Sequence, residues 1–377
     1  MQITSKVDLF WQSMFDLDFS NTDASSLLRL AQSKLASDLA DWERAIWLLV
    51  SQLSDYKIST FVISTSGSTG APKTIQHSRE AIVASAEMTC NYFNLQKGDK
   101  ALLCLPVDKI GGMMMVVRAF VRGLVLTCQK PNSNPLSHFE RMPDFRLAAF
   151  TPMQLALCSS EYEHFRKTDH LQNLILGGGT INYSLLSVLK KMDNPVYQTF
   201  GMTETVSHIA MRRLNGAHPE NYYRLLDGIT IRTDGRQRLI INAPFLNVFD
   251  LVTNDMVRII NSTEFEWLGR FDNIINTGGI KVYPEFIEAK IADIMAVPFF
   301  VGAVPDEILG EKIVLVVQLP ALSREEMEEI KMRINELEKH FRPKSVLTYE
   351  SFAMTETGKI NRTTTLLKQP QATYLLN

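Results

Sequence analysis

Between residues 58 and 179, short apolar runs alternate with helical stretches, and that rhythm leaves few folds open. Residues 58–64 (ISTFVIS) are β-branched and aromatic and read as a strand, followed by a Ser/Thr/Gly loop and a helix from about Arg79. Residues 101–105, 124–128, 147–150 and 174–176 are further strand candidates, with a Met-rich helix after the first and another helix from near Pro152. Such alternation predicts an α/β domain with a largely parallel sheet. Upstream, residues 25–53 carry Leu27, Leu28, Leu30, Leu35, Leu39, Trp42, Ile46 and Leu49 at helical spacing. After about Gly216 the texture changes. Residues 238–242, 249–253 and 257–260 read as short strands without helices between them, hence a β-rich subdomain. An α+β tail follows Phe271, with a strand at 313–318, a capping box at Ser323 and Glu326, and an apolar face of Ile330, Ile334, Leu337 and Phe341. The expected division falls near Asp272, giving units 1–271 and 272–377.

The most informative loop is STSGSTGAPKT, residues 64–74. Gly67 and Gly70 permit close backbone approach to a ligand. Thr65, Ser66, Ser68 and Thr69 offer hydroxyl donors, and Lys73 adds a mobile cation. Together these suit a polyphosphate. The loop is not of the Walker A type. Gly67 and Lys73-Thr74 have that spacing, but Pro72 replaces the second glycine and has no N–H to give.

The stretch TSGSTGAPK resembles the phosphate-loop motif of the adenylate-forming superfamily, which includes acyl-CoA synthetases, peptide-synthetase adenylation domains and luciferases. Further segments match that family in order. Gly177, Gly178 and Gly179 resemble the glycine-rich segment at the adenine and acyl pockets. Phe200-Gly201-Met202-Thr203-Glu204 resembles the aromatic-G-x-T-E motif, which implies an adenine wall at Phe200, an α-phosphate contact at Thr203 and a Mg²⁺ carboxylate at Glu204. Asp255 falls at the aspartate that takes the ribose hydroxyls, with Asn254 where the family has glycine. The run from Gly269-Arg270-Phe271-Asp272 to Gly278-Gly279-Ile280-Lys281, continuing through Pro284, Glu285 and Glu288, resembles the hinge region. It implies a ribose or phosphate contact at Arg270, a hinge at Asp272, and a coenzyme A channel near Gly278, Gly279 and Lys281. Thr355 to Arg362 resembles the C-terminal T-x-x-G-K-I-x-R motif, so Lys359 is the expected adenylation lysine; Ala353 stands where a proline is common. The resemblance runs from about residue 58 to 362. It implies an N-terminal ATP- and acid-binding domain with a shortened N-terminus, a mobile α+β lid, and ATP, Mg²⁺, coenzyme A and a carboxylic acid as ligands.

Composition bounds the rest. The 377 residues are 45% hydrophobic and 21% charged, with a formal net charge of -2 and a pI near 6.4, which gives no basis for nucleic-acid or anionic-membrane binding. Cys90, Cys104, Cys128 and Cys158 show no C-x-x-C spacing and read as reduced thiols; the histidines form no zinc signature. The first fifteen residues lack a signal-peptide core, so a cytoplasmic monomer or homodimer is the expectation.

For the acid, LPVDKIGGMMMVVRA and FGMTETVSHIA resemble compact bacterial o-succinylbenzoate–CoA ligases of menaquinone synthesis. That resemblance implies an acyl pocket near Lys109 and His208, where a cation suits a second carboxylate. Other readings are a ligase for another aryl or fatty acid, transfer of the acyl group to a carrier protein, or a degenerate adenylate-binding regulator.

Overall fold

The computed structural model describes residues 14–64, 74–179, 181, 183–355 and 360–376. Strand β1 (Met14–Asp18) is followed by helices α1 (Ala24–Leu35) and α2 (Asp41–Ser54). The helical stretch expected over 25–53 is thus two helices. A polar turn at Ser37 and Asp38 ends the first, and Glu43 reaches back to the Ala40 amide at the start of the second. Strands β2 (Thr60–Ser64) and β3 (Thr74–Ser78) then precede α3 (Arg79–Tyr92).

A twelve-stranded sheet forms the body of the larger unit. Its parallel part holds β4 (Lys100–Leu103), β5 (Val125–Gln129), β6 (Leu147–Phe150), β7 (Leu174–Leu176) and β8 (Val196–Gly201), in the order β5-β4-β6-β7-β8. Every residue of β6 and β7 is buried, as parallel strands covered on both faces require. The period-2 alternation sorts them cleanly. Ala101, Leu103, Leu147, Ala149 and Ile175 join one core with α3 and α4 (Ile110–Arg122). Leu102, Ala148, Phe150, Leu174 and Leu176 join a second with α5 (Pro152–Ser159) and α6 (Tyr183–Leu189). The expected strands at 147–150 and 174–176 and the helix from Pro152 are all present.

The expected β-rich subdomain is an antiparallel continuation of the same sheet. It comprises β9 (His208–Arg213), β10 (Tyr223–Leu225), β11 (Thr230–Thr233), β12 (Arg238–Ala243), β13 (Val248–Ile259) and β14 (Glu264–Arg270), in the order β9-β10-β14-β13-β12-β11 after β8. The two strands expected at 249–253 and 257–260 are one long β13, with its register shifting between Met256 and Val257 against β14. A second, six-stranded sheet starts with β15 (Ile275–Thr277) and β16 (Ile280–Val282). It packs its own core against α7 (Pro284–Ile291) and α8 (Arg324–Glu336). The changeover between the two sheets lies between Arg270 and Ile275.

One expectation is corrected. The strand at 58–64 does not join the parallel sheet. β2 pairs only with β3, in a separate antiparallel hairpin. Phe61 and Ile63 are buried whereas Val62 is exposed, so this strand has one apolar face where the sheet's core strands have two. The phosphate-loop sequence therefore joins two strands of a hairpin, and α3 follows the second of them. No helix among the described residues is long and apolar enough to cross a membrane.

Candidate functional site

The C-terminal ends of β4, β6, β7 and β8 lie on one edge of the sheet, where open α/β sheets present ligand crevices. The chain leaves β4 for β5 on one side and returns to β6 on the other, so a topological switch point falls between β4 and β6. Gly177 follows β7, and its amide bonds the Phe150 carbonyl of β6 at 3.2 Å. Gly178 has φ +77°. The 177–179 turn thus sits at this edge, between β6 and β8.

Phe200 and Gly201 end β8. Phe200 packs edge-on to Phe265 with 5.1 Å between ring centroids and lies 5.5 Å from Tyr223. Gly201 backs so closely onto the Ser207 carbonyl and His208 that a β-carbon would collide with both. Thr203 and Glu204 occupy a short 3₁₀ turn between β8 and β9, with Glu204 exposed. His77, on β3, stands near the Thr203 carbonyl and Glu204, which puts the phosphate-loop hairpin beside this turn. Burial holds its imidazole below the usual histidine range.

The antiparallel arm brings the two other nucleotide candidates together. Asp255 and Arg270 are cross-strand partners on β13 and β14, with Arg270 Nη1 3.7 Å from Asp255 Oδ1. Trp267 Nε1 donates to the same oxygen at 2.9 Å, and the Asp255 amide is bonded by Thr253 Oγ1. Asp255 is buried and keeps one carboxylate oxygen, Oδ2, outside these bonds. Trp267 lies two residues beyond Phe265 on β14, and Phe265 packs on both Phe200 and Tyr223, so the adenine and ribose candidates lie on one face. Arg270 Nε also lies 3.4 Å from Asp272. Gly278 and Gly279, at φ +57° and +80°, form the two-residue turn of the β15–β16 hairpin, with Lys281 exposed beside it.

Two of the expected elements, the 65–73 phosphate loop (Thr65, Ser66, Gly67, Ser68, Thr69, Gly70 and Lys73) and Lys359, lie outside the described residues. The flanks of the latter are well tied. Met354 and Ile360 form a bridge, and the Asn361 amide bonds the Ala353 carbonyl at 2.8 Å. Arg362 pairs with Glu288 at 2.8 Å and with Glu285 at 3.5 Å, both on α7, and donates to the Val301 carbonyl. Burial raises the Glu288 carboxyl to about 6 despite Arg362 beside it. Glu285 also accepts from Asn273 next to Asp272, so one charged cluster links the hinge candidate to the lysine segment.

The acyl-pocket candidates are not brought together. Lys109 is the residue that precedes α4; its side chain is 53% exposed and its ammonium lies 3.5 Å from Asp108. His208 is buried, bonded through Nε2 to Thr89 Oγ1 at 3.0 Å. Burial first, and the Arg118 charge second, hold its imidazole well below the usual range, so it is neutral. Arg118 is the residue the sequence reading passed over. It is 1% exposed, yet among the described residues its side chain has only Ser207 Oγ at 2.9 Å and the Met115 sulfur as hydrogen-bond partners. Among the described residues its Nε has no partner and no carboxylate pairs with it. Burial lowers its pKa to about 10, so it remains charged at neutrality. Nine residues separate it from Lys109, about 13 Å along the helix axis. The signal was present in the sequence: Arg118 follows Met114 by four and Met115 by three, which places it on the buried face.

Comparison with known proteins fits this arrangement. Residues 29–232 match the family described as AMP-binding enzyme. An acyl-CoA synthetase (AMP-forming)/AMP-acid ligase II-like protein from Dyadobacter fermentans is 32% identical, superposes with a TM-score of 0.63, and covers 94% of this chain and 99% of its own. A 2-succinylbenzoate–CoA ligase from Bacillus licheniformis is 28% identical over 48% of this chain and 38% of its own length. A long-chain-fatty-acid–CoA ligase, FadD13, from Mycobacterium tuberculosis is 24% identical over 80% of this chain and 66% of its own. The chain therefore spans well under half of the first of these two curated relatives. The matched region contains the glycine turn, Phe200 to Glu204 and Arg118, and the chain belongs to the AMP-binding enzyme family.

Proposed function

We propose that this chain is an AMP-forming acid–CoA ligase whose acid carries a second carboxylate, o-succinylbenzoate being the compound that fits best. The observation that carries the choice of acid is Arg118. Among the described residues its guanidinium is buried without a carboxylate partner, which is costly to a fold, and a site that needs an anionic ligand is a physical reason to keep one. A fatty acid, whose single carboxylate is the reacting group, has no second anion to offer that charge. The similarity to 2-succinylbenzoate–CoA ligases supports the same choice.

In the first half-reaction an oxygen of the acid attacks the α-phosphorus of ATP. The new C(O)O–P bond forms as the bond to pyrophosphate breaks. Positioning and charge stabilisation supply most of the catalysis. Thr65 to Gly70 and Lys73 cradle the β- and γ-phosphates, Thr203 contacts the α-phosphate, and Lys359 neutralises charge on the reacting oxygens. Phe200 and the 177–179 turn flank the adenine, Asp255 takes the ribose hydroxyls, and Arg270 holds the ribose or phosphate edge. Glu204 is the carboxylate for Mg²⁺. A single exposed carboxylate suits an ion bound mainly by phosphates, and among the described residues no group of three or more His, Cys, Asp or Glu could cage a metal. When bound, Mg²⁺ offsets charge on the polyphosphate.

In the second half-reaction the 272–377 unit turns about Asp272, taking Lys359 out and bringing Gly278, Gly279 and Lys281 to the acceptor channel. The coenzyme A thiolate attacks the acyl carbonyl and AMP leaves.

Pyrophosphate release with ATP and Mg²⁺ across a panel of acids, with and without coenzyme A, tests the proposal. The expected result is release with o-succinylbenzoate, together with its coenzyme A thioester. Release confined to monocarboxylic acids overturns the acid, and release without any thioester points to a carrier-protein acceptor. ATP binding without release from any acid favours an adenylate-binding regulator.

A further inference from the structure

We infer that Thr205, which no family motif includes, is the positioning residue that fixes Thr203 and Glu204 for the nucleotide, through a hydroxyl-locked γ-turn. The chain leaves the sheet at Gly201 and re-enters it at His208, two residues that are register partners. Everything between must fold back within six residues. Val206 makes this possible with φ +65° and ψ −56°, and the Ser207 amide closes onto the Thr205 carbonyl at 2.7 Å. This is the positive-φ γ-turn, rare and strained, and here it is adopted by a β-branched residue. Such geometry persists only where the surroundings over-determine it, and it gathers at functional sites.

Most of the over-determination comes from one side chain. Thr205 is fully buried, and its hydroxyl accepts from the Met202 amide at 3.0 Å. It lies within donating distance of the Ser207 carbonyl at 2.8 Å and the Met202 carbonyl at 3.0 Å. It therefore spans both sides of the turn, with Thr203 and Glu204 held between its anchor points. Val206 is itself buried, and Arg118 bonds Ser207 just beyond it. On the opposite side His77 stands near the Thr203 carbonyl. Thr203 and Glu204 are thus held on a backbone anchored at Met202 and at Ser207 while the Glu204 side chain stays exposed. A turn that merely reversed the chain would not need a strained residue beside the carboxylate.

The inference rests on the reading of Glu204 as the Mg²⁺ carboxylate, and the test separates the two. Thr205→Val keeps the shape and removes the hydroxyl; Thr205→Ser keeps the hydroxyl. Calorimetry with ATP is run with Mg²⁺ and with EDTA, alongside the two half-reactions. Thr205→Val is expected to lose most of the Mg²⁺-dependent gain in ATP affinity and to slow acyl-adenylate formation about 10²-fold. It should leave thioester formation from supplied acyl-adenylate within a few-fold, and Thr205→Ser should restore all three readings. Equal loss in both half-reactions, an unchanged Mg²⁺ increment in Thr205→Val, or failure of Thr205→Ser to rescue overturns the positioning role. If wild type binds ATP equally with and without Mg²⁺, the reading of Glu204 fails, and the inference that rests on it falls too.

Discussion

Replacing Lys359 by alanine is expected to slow acyl-adenylate formation about 10²–10³-fold, the usual loss when one charge-stabilising donor is removed. Thioester formation from supplied acyl-adenylate should change no more than a few-fold. The asymmetry is the point. A lysine that acts only while the acid attacks ATP has no part once the 272–377 unit has turned. Arg362, three residues on, is held by Glu285 and Glu288, and Glu285 contacts Asn273 beside the proposed hinge, so one charged cluster joins the hinge candidate to the lysine segment. Separate assays of the two half-reactions check this. Equal loss in both would mean that Lys359 supports the fold or serves both steps, and the alternation account would fail.

Arg118→Met should produce an opposed pair of effects. Removing a buried cation that has no carboxylate partner among the described residues, and filling its space with an apolar chain, is expected to raise stability by about 1–4 kcal/mol. The same change should lower kcat/KM for o-succinylbenzoate about 10²-fold or more, since truncating one partner of a buried charge pair costs about 2–5 kcal/mol. The KM for ATP should stay within a few-fold. With 4-oxo-4-phenylbutanoate, the same skeleton without the ring carboxylate, wild type and variant should behave alike. Thermal melts and steady-state rates decide it. A variant that is less stable and keeps its preference for the diacid would make Arg118 a packing residue held by Ser207.

Much of the larger unit was legible because parallel core strands announce themselves. Leu147–Phe150 and Leu174–Leu176 are apolar throughout and bounded by polar turns, and both are buried on two faces. Strand β2 misled for the same reason. FVI reads as two-faced, but Val62 points to solvent, and its partner TIQHS is too polar to read as a strand. The break between α1 and α2 was hidden because apolar spacing continues through Leu39 while the backbone does not. At the site, residues carried by motifs were placed by order along the chain. Those that work by contact across the fold were not. His77 meets Thr203 through the pairing of a hairpin with a turn 126 positions away in sequence. The lock at Thr205 depends on a positive φ at Val206, which its identity as valine argues against. Lys109, singled out from the sequence, is exposed at the start of α4, whereas Arg118 lies on the buried face of the same helix.

The central claim is that an oxygen of the acid ends on the α-phosphorus. Acid labelled with ¹⁸O in both carboxylates, turned over with ATP, Mg²⁺ and coenzyme A, tests it by mass spectrometry of the products. The account predicts one labelled oxygen in AMP and none in pyrophosphate. Label in inorganic phosphate with ADP as the product would mean an acyl phosphate, and unlabelled AMP would mean that water is the attacking group; either result would contradict it.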